Sequence, residues 1–597
     1  MTLLEQPIRP AKPAAVEGSA PSAAPFGAPE KSPDMFLLIF SAWVLSVVWF
    51  GPRMWSLTEL ATSAGALVSI VYFVVFAQIA WLYGFYNVGV VAFAAINARR
   101  PAEPKPPALV DAPAVAVLYT TCDDFVERSA ESCVLLDYPN FHVYVLDDSR
   151  TDAARARVDA FAARHLKSVT VVRRADRRGF KAGNLNHALK NVAAEPFFAV
   201  VDADEILPPN FLTDLVPHLV HNDRCGFVQA NHRARPDAES KLARDLGVGI
   251  DIHWKWYQPL RNRFGFVMFL GHGAVLRRAS WEAVGGFPEL VSEDLAFAIA
   301  IGEHGYHGRF VEDVVCLEEF PETVRAFRVR HVKWTRGTCE FLHHWMEPLL
   351  RAKRVTIVEK LDILFPTLNL PLTFFFFLFM INAAVFLPMF LGDVRPITFV
   401  LAGQEFVAPV LTFKPGVERI FGIDFYLITL LTIVAPILCF IIELAKKPIR
   451  LARFLADSTA LYAALSPLSF IAVVGYLFTR KAQFLVTGST AQTSSAAPGS
   501  LNAFWSRTHP DYRGVQAFEI AMGAAFLVTA IATFQVSFSG VALGFMTLPL
   551  MHHQGWKTGL SRRIVWAPFV MMMVGIALGA SSVMGLPAVF FGFGFHF

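Results

Sequence analysis

Two kinds of apolar pattern divide this chain. Continuous apolar runs lie at 35–50, 64–95, 363–391, 421–444, 515–536, 538–551 and 565–591. Most approach or exceed the roughly 20 residues a helix needs to cross a bilayer. From 99 to 359 no such run occurs. The apolar segments there are short: 114–119, 141–146, 169–172 and 196–201. Helical stretches at 128–136 and 152–166 lie between them. Alternation of this kind predicts an α/β domain with a parallel sheet and helices on both faces. In such sheets ligands bind at the carboxyl ends of the strands.

The predicted organisation is a tail at 1–33, two transmembrane helices within 34–98, a soluble domain at 99–359 and a membrane block at 360–597. The Pro- and Ala-rich tail is expected to be disordered. It lacks the charged, apolar, small-residue order of a cleavable signal peptide. The stretch 455–480 is apolar but has basic residues on both sides and contains Asp457, Ser458, Thr459 and Pro467, so an interfacial or re-entrant segment is expected.

Composition supports the membrane reading. Of 597 residues, 54% are hydrophobic, 17% are charged and 55 are Phe. Soluble domains carry about a quarter charged residues. The net charge of +4 makes no case for nucleic acid. Six scattered cysteines without a C-x-x-C pair indicate neither a zinc site nor a disulfide framework. Basic residues near the span ends (Arg99-Arg100, Lys446-Lys447, Arg480-Lys481, Arg562-Arg563) are expected to place the soluble domain on the cytoplasmic side of a plasma membrane.

The polar motifs sit at the ends of the predicted strands. Asp202-Ala203-Asp204 presents two carboxylates at i, i+2, a spacing that suits one divalent cation shared with a substrate phosphate, or a plain solvated turn. Asp147-Asp148-Ser149 offers a carboxylate to a base or ribose, or caps the helix that follows. The basic segment 173–184, ending Lys181-Ala182-Gly183-Asn184, leads into a helix from Leu185 and suits a diphosphate. Ser292-Glu293-Asp294 can both cap a helix and hold a general base. Arg330-His331-Val332-Lys333-Trp334 combines an indole that can stack on a sugar with cations that can offset pyrophosphate charge.

In order and spacing these motifs resemble family-2 glycosyltransferases, in particular the cellulose, chitin and hyaluronan synthase group. The series is Thr120-Thr121-Cys122-Asp123-Asp124, Asp147-Asp148-Ser149, Lys181-Ala182-Gly183-Asn184, Asp202-Ala203-Asp204, Ser292-Glu293-Asp294 and Arg330 to Trp334. The resemblance implies a nucleotide-diphospho-sugar transferase domain of GT-A type inserted between transmembrane helices. It implies donor contacts from Thr120, Asp124, Asp147, Lys181, Asp202 and Asp204, with Mg²⁺ or Mn²⁺ held by Asp202 and Asp204. Asp294 would be the catalytic base, and Arg330, Lys333 and Trp334 would meet the acceptor. Phe484-Leu485-Val486-Thr487-Gly488-Ser489 is similar to the gating loop of cellulose synthases, within a loop at 481–512. Phe484, Val486 and Thr487 would then close over the nucleotide, although Ser489 stands where that family has Lys. Cys122-Asp123-Asp124 and Lys333 also depart from the family pattern, and Lys lacks the bidentate geometry of Arg. His272, between Gly271 and Gly273, is expected to shape the sugar pocket.

The implied reaction is an inverting transfer from a UDP-sugar, glucose or N-acetylglucosamine, that elongates a β-linked polysaccharide and translocates it. The implied partners are the donor, a glycan acceptor, membrane lipid and periplasmic or export subunits. The alternative is a non-processive transferase acting on a lipid carrier or membrane lipid.

Overall fold

A computed structural model describes residues 30–101, 104–401, 403–413, 422–482, 507–532 and 535–583. Its centre is a seven-stranded sheet in the order β3-β2-β1-β4-β6-β5-β7. The strands are β1 (Val115–Thr121), β2 (Phe141–Asp147), β3 (Val169–Val172), β4 (Phe197–Asp202), β5 (Cys225–Ala234), β6 (Ala274–Arg277) and β7 (His307–Glu318).

Alternation along β1 explains why the sheet is covered on both faces. Val115, Val117 and Tyr119 enter one apolar core with Val158, Phe161, Leu212 and Leu215. Ala116 and Leu118 enter the opposite core with Leu185, Phe297 and Ile299. A strand buried on both faces reads as an unbroken apolar run, which is the pattern of 114–119.

The four strands expected from sequence run parallel to one another. The sheet as a whole is mixed, because β6 runs antiparallel to both β4 and β5. The all-parallel expectation failed in that half. The short β6 follows an excursion through helices Lys241–Leu246 and Gln258–Phe264 and the Gly271-His272-Gly273 turn, and the chain re-enters the sheet in the opposite direction.

Six helical stretches are long and apolar enough to cross a membrane: Asp34–Leu60, Ala64–Asn97, Ile357–Leu391, Leu427–Leu444, Pro448–Thr479 and Arg513–Ala532. The chain is a membrane protein. Two of them precede the sheet and four follow it. Expected spans at 538–551 and 565–591 correspond to the helices Val536–Gln554 and Ala567–Val583, neither of which is among those six. Val536–Gln554 buries Phe538, Phe545, Leu548 and Met551 in the block's own core. Strands β8 (Gly392–Leu401) and β9 (Gln404–Phe413) pair as an antiparallel hairpin after the third stretch.

The stretch Pro448–Thr479 is bent. Helix Pro448–Tyr462 meets helix Ser466–Thr479 at the turn Ala463–Leu465. Both ends reach the sheet domain's side. Phe454 shares a core with Leu242 and Leu246, and the Ala482 amide donates to Glu340 Oε1 at 3.3 Å. Along its length the stretch packs on helix Val324–Arg351, through Tyr462 on Phe327, His331 to Ser469 (2.7 Å) and His343 to Tyr476 (2.9 Å).

Candidate active site

The carboxyl ends of β1, β2 and β4 stop level with one another. Thr121 pairs with Asp147 and Thr120 with Asp202 in the strand register. Asp147 and Asp202 therefore flank β1 on one sheet edge, roughly 10 Å apart at normal strand spacing. Thr120 Oγ1 donates to Asp202 Oδ1 at 3.2 Å.

The loop carboxylates on this edge are engaged with their own surroundings. Asp124 Oδ1 accepts from Thr121 Oγ1 (2.9 Å) and from the Cys122 amide (2.6 Å). Burial raises its carboxyl above the ordinary range, against those two hydrogen bonds. Asp147 is buried and ion-paired to Arg173 Nε at 2.7 Å. Asp148 receives Nε (3.0 Å) and Nη2 (2.7 Å) of Arg174. Arg174 also donates to the carbonyls of Arg178 and Phe180, at 2.6 and 2.8 Å. This clasp fixes the basic loop, and the helix following it starts at Phe180 rather than at the expected Leu185. Lys181 thus lies in the helix's first turn.

That position brings Lys181 to the middle of the cleft. Its ammonium pairs with Asp202 and donates to the Gly271 carbonyl at 2.9 Å. Gly271 has φ of +87°, and a Cβ there would lie 3.3 Å from Asp294 Oδ2 and 3.7 Å from Lys181 Nζ. The left-handed turn and the close approach both favour glycine. Lys181, Asp202 and Asp294 come from three separate parts of the chain, and they meet around this turn.

Charge is unevenly balanced here. Asp202 is held below the usual carboxylate range, because Lys181 and His272 outweigh the effect of its burial. Asp204 opens to solvent in the cleft, yet desolvation by the cleft walls and repulsion from Asp202 push it up to about 7. Glu293 is pushed up to about 8 by burial and by neighbouring Asp294. Burial also raises Asp294. Repulsion among crowded carboxylates is what a divalent cation relieves, so Asp202 and Asp204 fit a metal that would share a donor diphosphate.

A second shell of polar groups lies behind the Asp202-Ala203-Asp204 turn. Glu205 Oε1 meets His232 Nε2 at 2.8 Å, and Glu205 Oε2 lies 3.4 Å from His272 Nδ1. His272 Nε2 is 3.7 Å from Glu318. Glu205, His232 and Cys316 form one potential ligand set, and His232, His272 and Glu318 form another, with ligand atoms within 4.8 Å of each other. Within the first set the Glu205–His232 hydrogen bond braces the turn, while His232 Nδ1 is buried without a hydrogen-bond partner. His272, although desolvated, is raised to about 10 by Glu205 and Asp202. Sequence reasoning reached His272 through its flanking glycines but missed Glu205, His232 and Glu318. The one visible signal was the polar run Gln229-Ala230-Asn231-His232 inside an apolar strand.

Helix Val324–Arg351 closes the cleft on the membrane side. It packs so tightly on the turn before Asp294 that a Cβ on Gly337 would lie 2.8 Å from Val291 Cγ1 and 3.2 Å from Ser292 Oγ. Glu340 Oε2 also accepts from the Val291 amide at 3.2 Å. Arg330 stacks over Trp334 (4.7 Å) and Phe320 (5.0 Å), and Trp334 remains 50% exposed. Burial lowers Lys333 against the opposing pull of Asp202. Phe484, Val486 and Thr487 lie outside the described residues.

The sequence pattern described as "Glycosyl transferase family group 2" matches residues 197–414, from β4 through Asp294, the helix bearing Trp334 and the third apolar stretch. The chain carries a family-2 glycosyltransferase domain. Its sheet is mixed and apolar helices flank it in the chain. Among curated relatives, probable glucomannan 4-beta-mannosyltransferase 11 of Arabidopsis thaliana is 29% identical over 259 residues, covering 41% of this chain and 58% of the relative. Probable glucomannan 4-beta-mannosyltransferase 6 of Oryza sativa subsp. japonica is 31% identical, covering 41% and 45%. The chain thus spans about half the length of the curated relatives it matches. Among solved structures, a mannosyltransferase from Pyrobaculum calidifontis in complex with GDP-Man and Mn²⁺ aligns over 53% of this chain and 85% of its own, with 22% identity and a TM-score of 0.42.

Proposed function

We propose that this glycosyltransferase moves a hexosyl group, with inversion, from a nucleoside-diphosphate sugar to the end of a β-linked glycan. The observation that carries this is the meeting of Lys181, Asp202 and Asp294 around Gly271, beside the helix that presents Trp334. Trp334 offers an indole face for the acceptor's terminal sugar. Asp294, raised by burial, takes the proton from the acceptor hydroxyl as that oxygen bonds to the anomeric carbon. The bond from that carbon to the diphosphate breaks, and the nucleoside diphosphate leaves with the electron pair. Lys181 and the cations of helix Val324–Arg351 stand near the developing negative charge. Thr120, Asp124 and Asp147 on the adjoining strand ends contact the nucleoside.

A divalent cation, Mg²⁺ or Mn²⁺, held by Asp202 and Asp204 would neutralise diphosphate charge. The donor is UDP-glucose, UDP-N-acetylglucosamine or GDP-mannose. The mannosyltransferase relatives favour including the last in any test.

The apolar helices on both sides of the domain support placement at a bilayer, with the domain on the cytoplasmic face as the basic span ends require. Contacts from both ends of Pro448–Thr479 to the catalytic domain support an interfacial course for that stretch. The later membrane helices support export of the growing chain, and Phe484, Val486 and Thr487 would close over the nucleotide.

The test is to incubate the purified protein with each of the three donors, then size and digest the product with linkage-specific glycosidases. A β-linked polymer from one donor is expected. A single sugar added to lipid would favour the non-processive alternative, and no turnover of any nucleotide sugar would overturn the proposal. Chelator should abolish activity and Mn²⁺ or Mg²⁺ should restore it. Full turnover in chelator would remove the metal from Asp202 and Asp204.

A further inference from the structure

Away from the catalytic cleft, a cavity of about 590 Å³ lies where helix Pro448–Tyr462 begins. Its walls carry four cations, Arg244, Lys447, Arg450 and Arg453, next to the apolar surfaces of Ile449 and Phe454. Arg244 is held in place by the carbonyls of Ala238 and Glu239, at 3.1 and 2.8 Å. Among the described residues, none of the four has a carboxylate within 4.0 Å.

The one acid in the wall is already spent. Asp245 accepts from Lys557 Nζ at 2.7 Å and from Trp556 Nε1 at 2.8 Å. Lys557 also bridges to Asp457 at 2.7 Å. The cavity therefore carries an excess of positive charge, with four cations against Asp245, which Lys557 engages, and Asp251, whose charge reaches Arg450. The position is specific too. The cations follow directly after the apolar stretch Leu427–Leu444, at the level where that helix leaves the hydrocarbon. Ile449 is 77% exposed beside them. The free amides at the start of the fifteen-residue helix Pro448–Tyr462 add partial positive charge.

We propose that this cavity binds the phosphodiester headgroup of an anionic phospholipid. The cations face the phosphate, and Ile449 and Phe454 lie along the acyl chains. A freely soluble phosphate would account for the cations but not for exposed Ile449 beside the end of a span. The cavity joins Arg244 and Val248 of the catalytic domain to Lys447–Phe454 of the membrane block, so a bound lipid would pin the domain to the bilayer. None of these residues belongs to the catalytic cleft, and the proposal does not depend on which sugar is transferred.

The test is native mass spectrometry of the full chain released from nanodiscs of phosphatidylcholine with phosphatidylglycerol. Wild type should retain phosphatidylglycerol in preference to phosphatidylcholine. Lys447→Gln/Arg450→Gln/Arg453→Gln should weaken that preference by at least about tenfold, scaled from the attraction of single basic residues to an anionic surface. Lys447→Arg/Arg450→Lys/Arg453→Lys, which keeps the charge, should retain it. That recovery separates charge loss from misfolding. Equal retention by wild type and the glutamine variant would overturn the proposal. Complete displacement of the lipid by millimolar glycerol phosphate would overturn it as well, by showing a site for soluble phosphate.

Discussion

The molecule treats buried charge in two opposite ways. In the catalytic cleft, Asp202, Asp204, Glu293 and Asp294 crowd together with Lys181, and Asp204, Glu293 and Asp294 are raised above normal carboxylate values. Where helix Val324–Arg351 meets the membrane block, buried charges are matched. Arg328 pairs with Glu519, both completely buried. An unbalanced cluster is poor for stability and useful for binding a charged substrate. A balanced pair fixes two helices and leaves nothing to bind.

Substitution should separate the two regions. Asp204→Asn should reduce sugar transfer about a thousandfold while leaving the melting curve within a degree or two, since it neutralises a carboxylate that desolvation and Asp202 already push up to about 7. A melting loss of the size seen at a core site would contradict this. Arg328→Met should do the reverse, costing about 3 kcal/mol of stability by stranding Glu519. Pairing it with Glu519→Leu should restore most of the loss, as measured by unfolding in detergent. If the double variant is no more stable than the single one, the pair is not a balanced strut.

The pH profile offers a smaller contrast. A carboxyl base works only once deprotonated, and burial holds Asp294 above the ordinary carboxylate range, so kcat/KM should climb with pH above that ordinary range. A flat profile from pH 5 to 9 would argue against a raised carboxyl base. The smallest effect is expected from Trp334→Ala. Loss of one stacking face should raise the acceptor KM by roughly two- to tenfold with donor KM unchanged. A change confined to the donor would place Trp334 elsewhere.

The same contrast explains which parts of the molecule could be read from sequence. Strands β1 to β4 were legible because each is an apolar or β-branched run, and β1, β2 and β4 lead straight into the acidic or acid-bearing turns. Strand β5 was not, because Gln229, Asn231 and His232 interrupt its apolar character while remaining buried. Asp202, Asp294 and Lys181 were found through short local motifs. The Glu205–His232–His272–Glu318 network was missed as a unit, since its members lie on four different segments and only the mixed sheet brings them together. The start of the Lys181 helix was misplaced because Arg174 clasps two carbonyls ahead of it, a contact that no local pattern reveals.

The most direct measurement follows one turnover with purified Asp294→Asn. Donor binding is measured by calorimetry, and nucleoside diphosphate release is measured in the presence of acceptor. Binding within about twofold of wild type, with release slowed by roughly 10²- to 10⁴-fold, is expected of a lost general base. Release at the wild-type rate would show that the proton leaves by another route and that the residues meeting at Gly271 are not the catalytic centre.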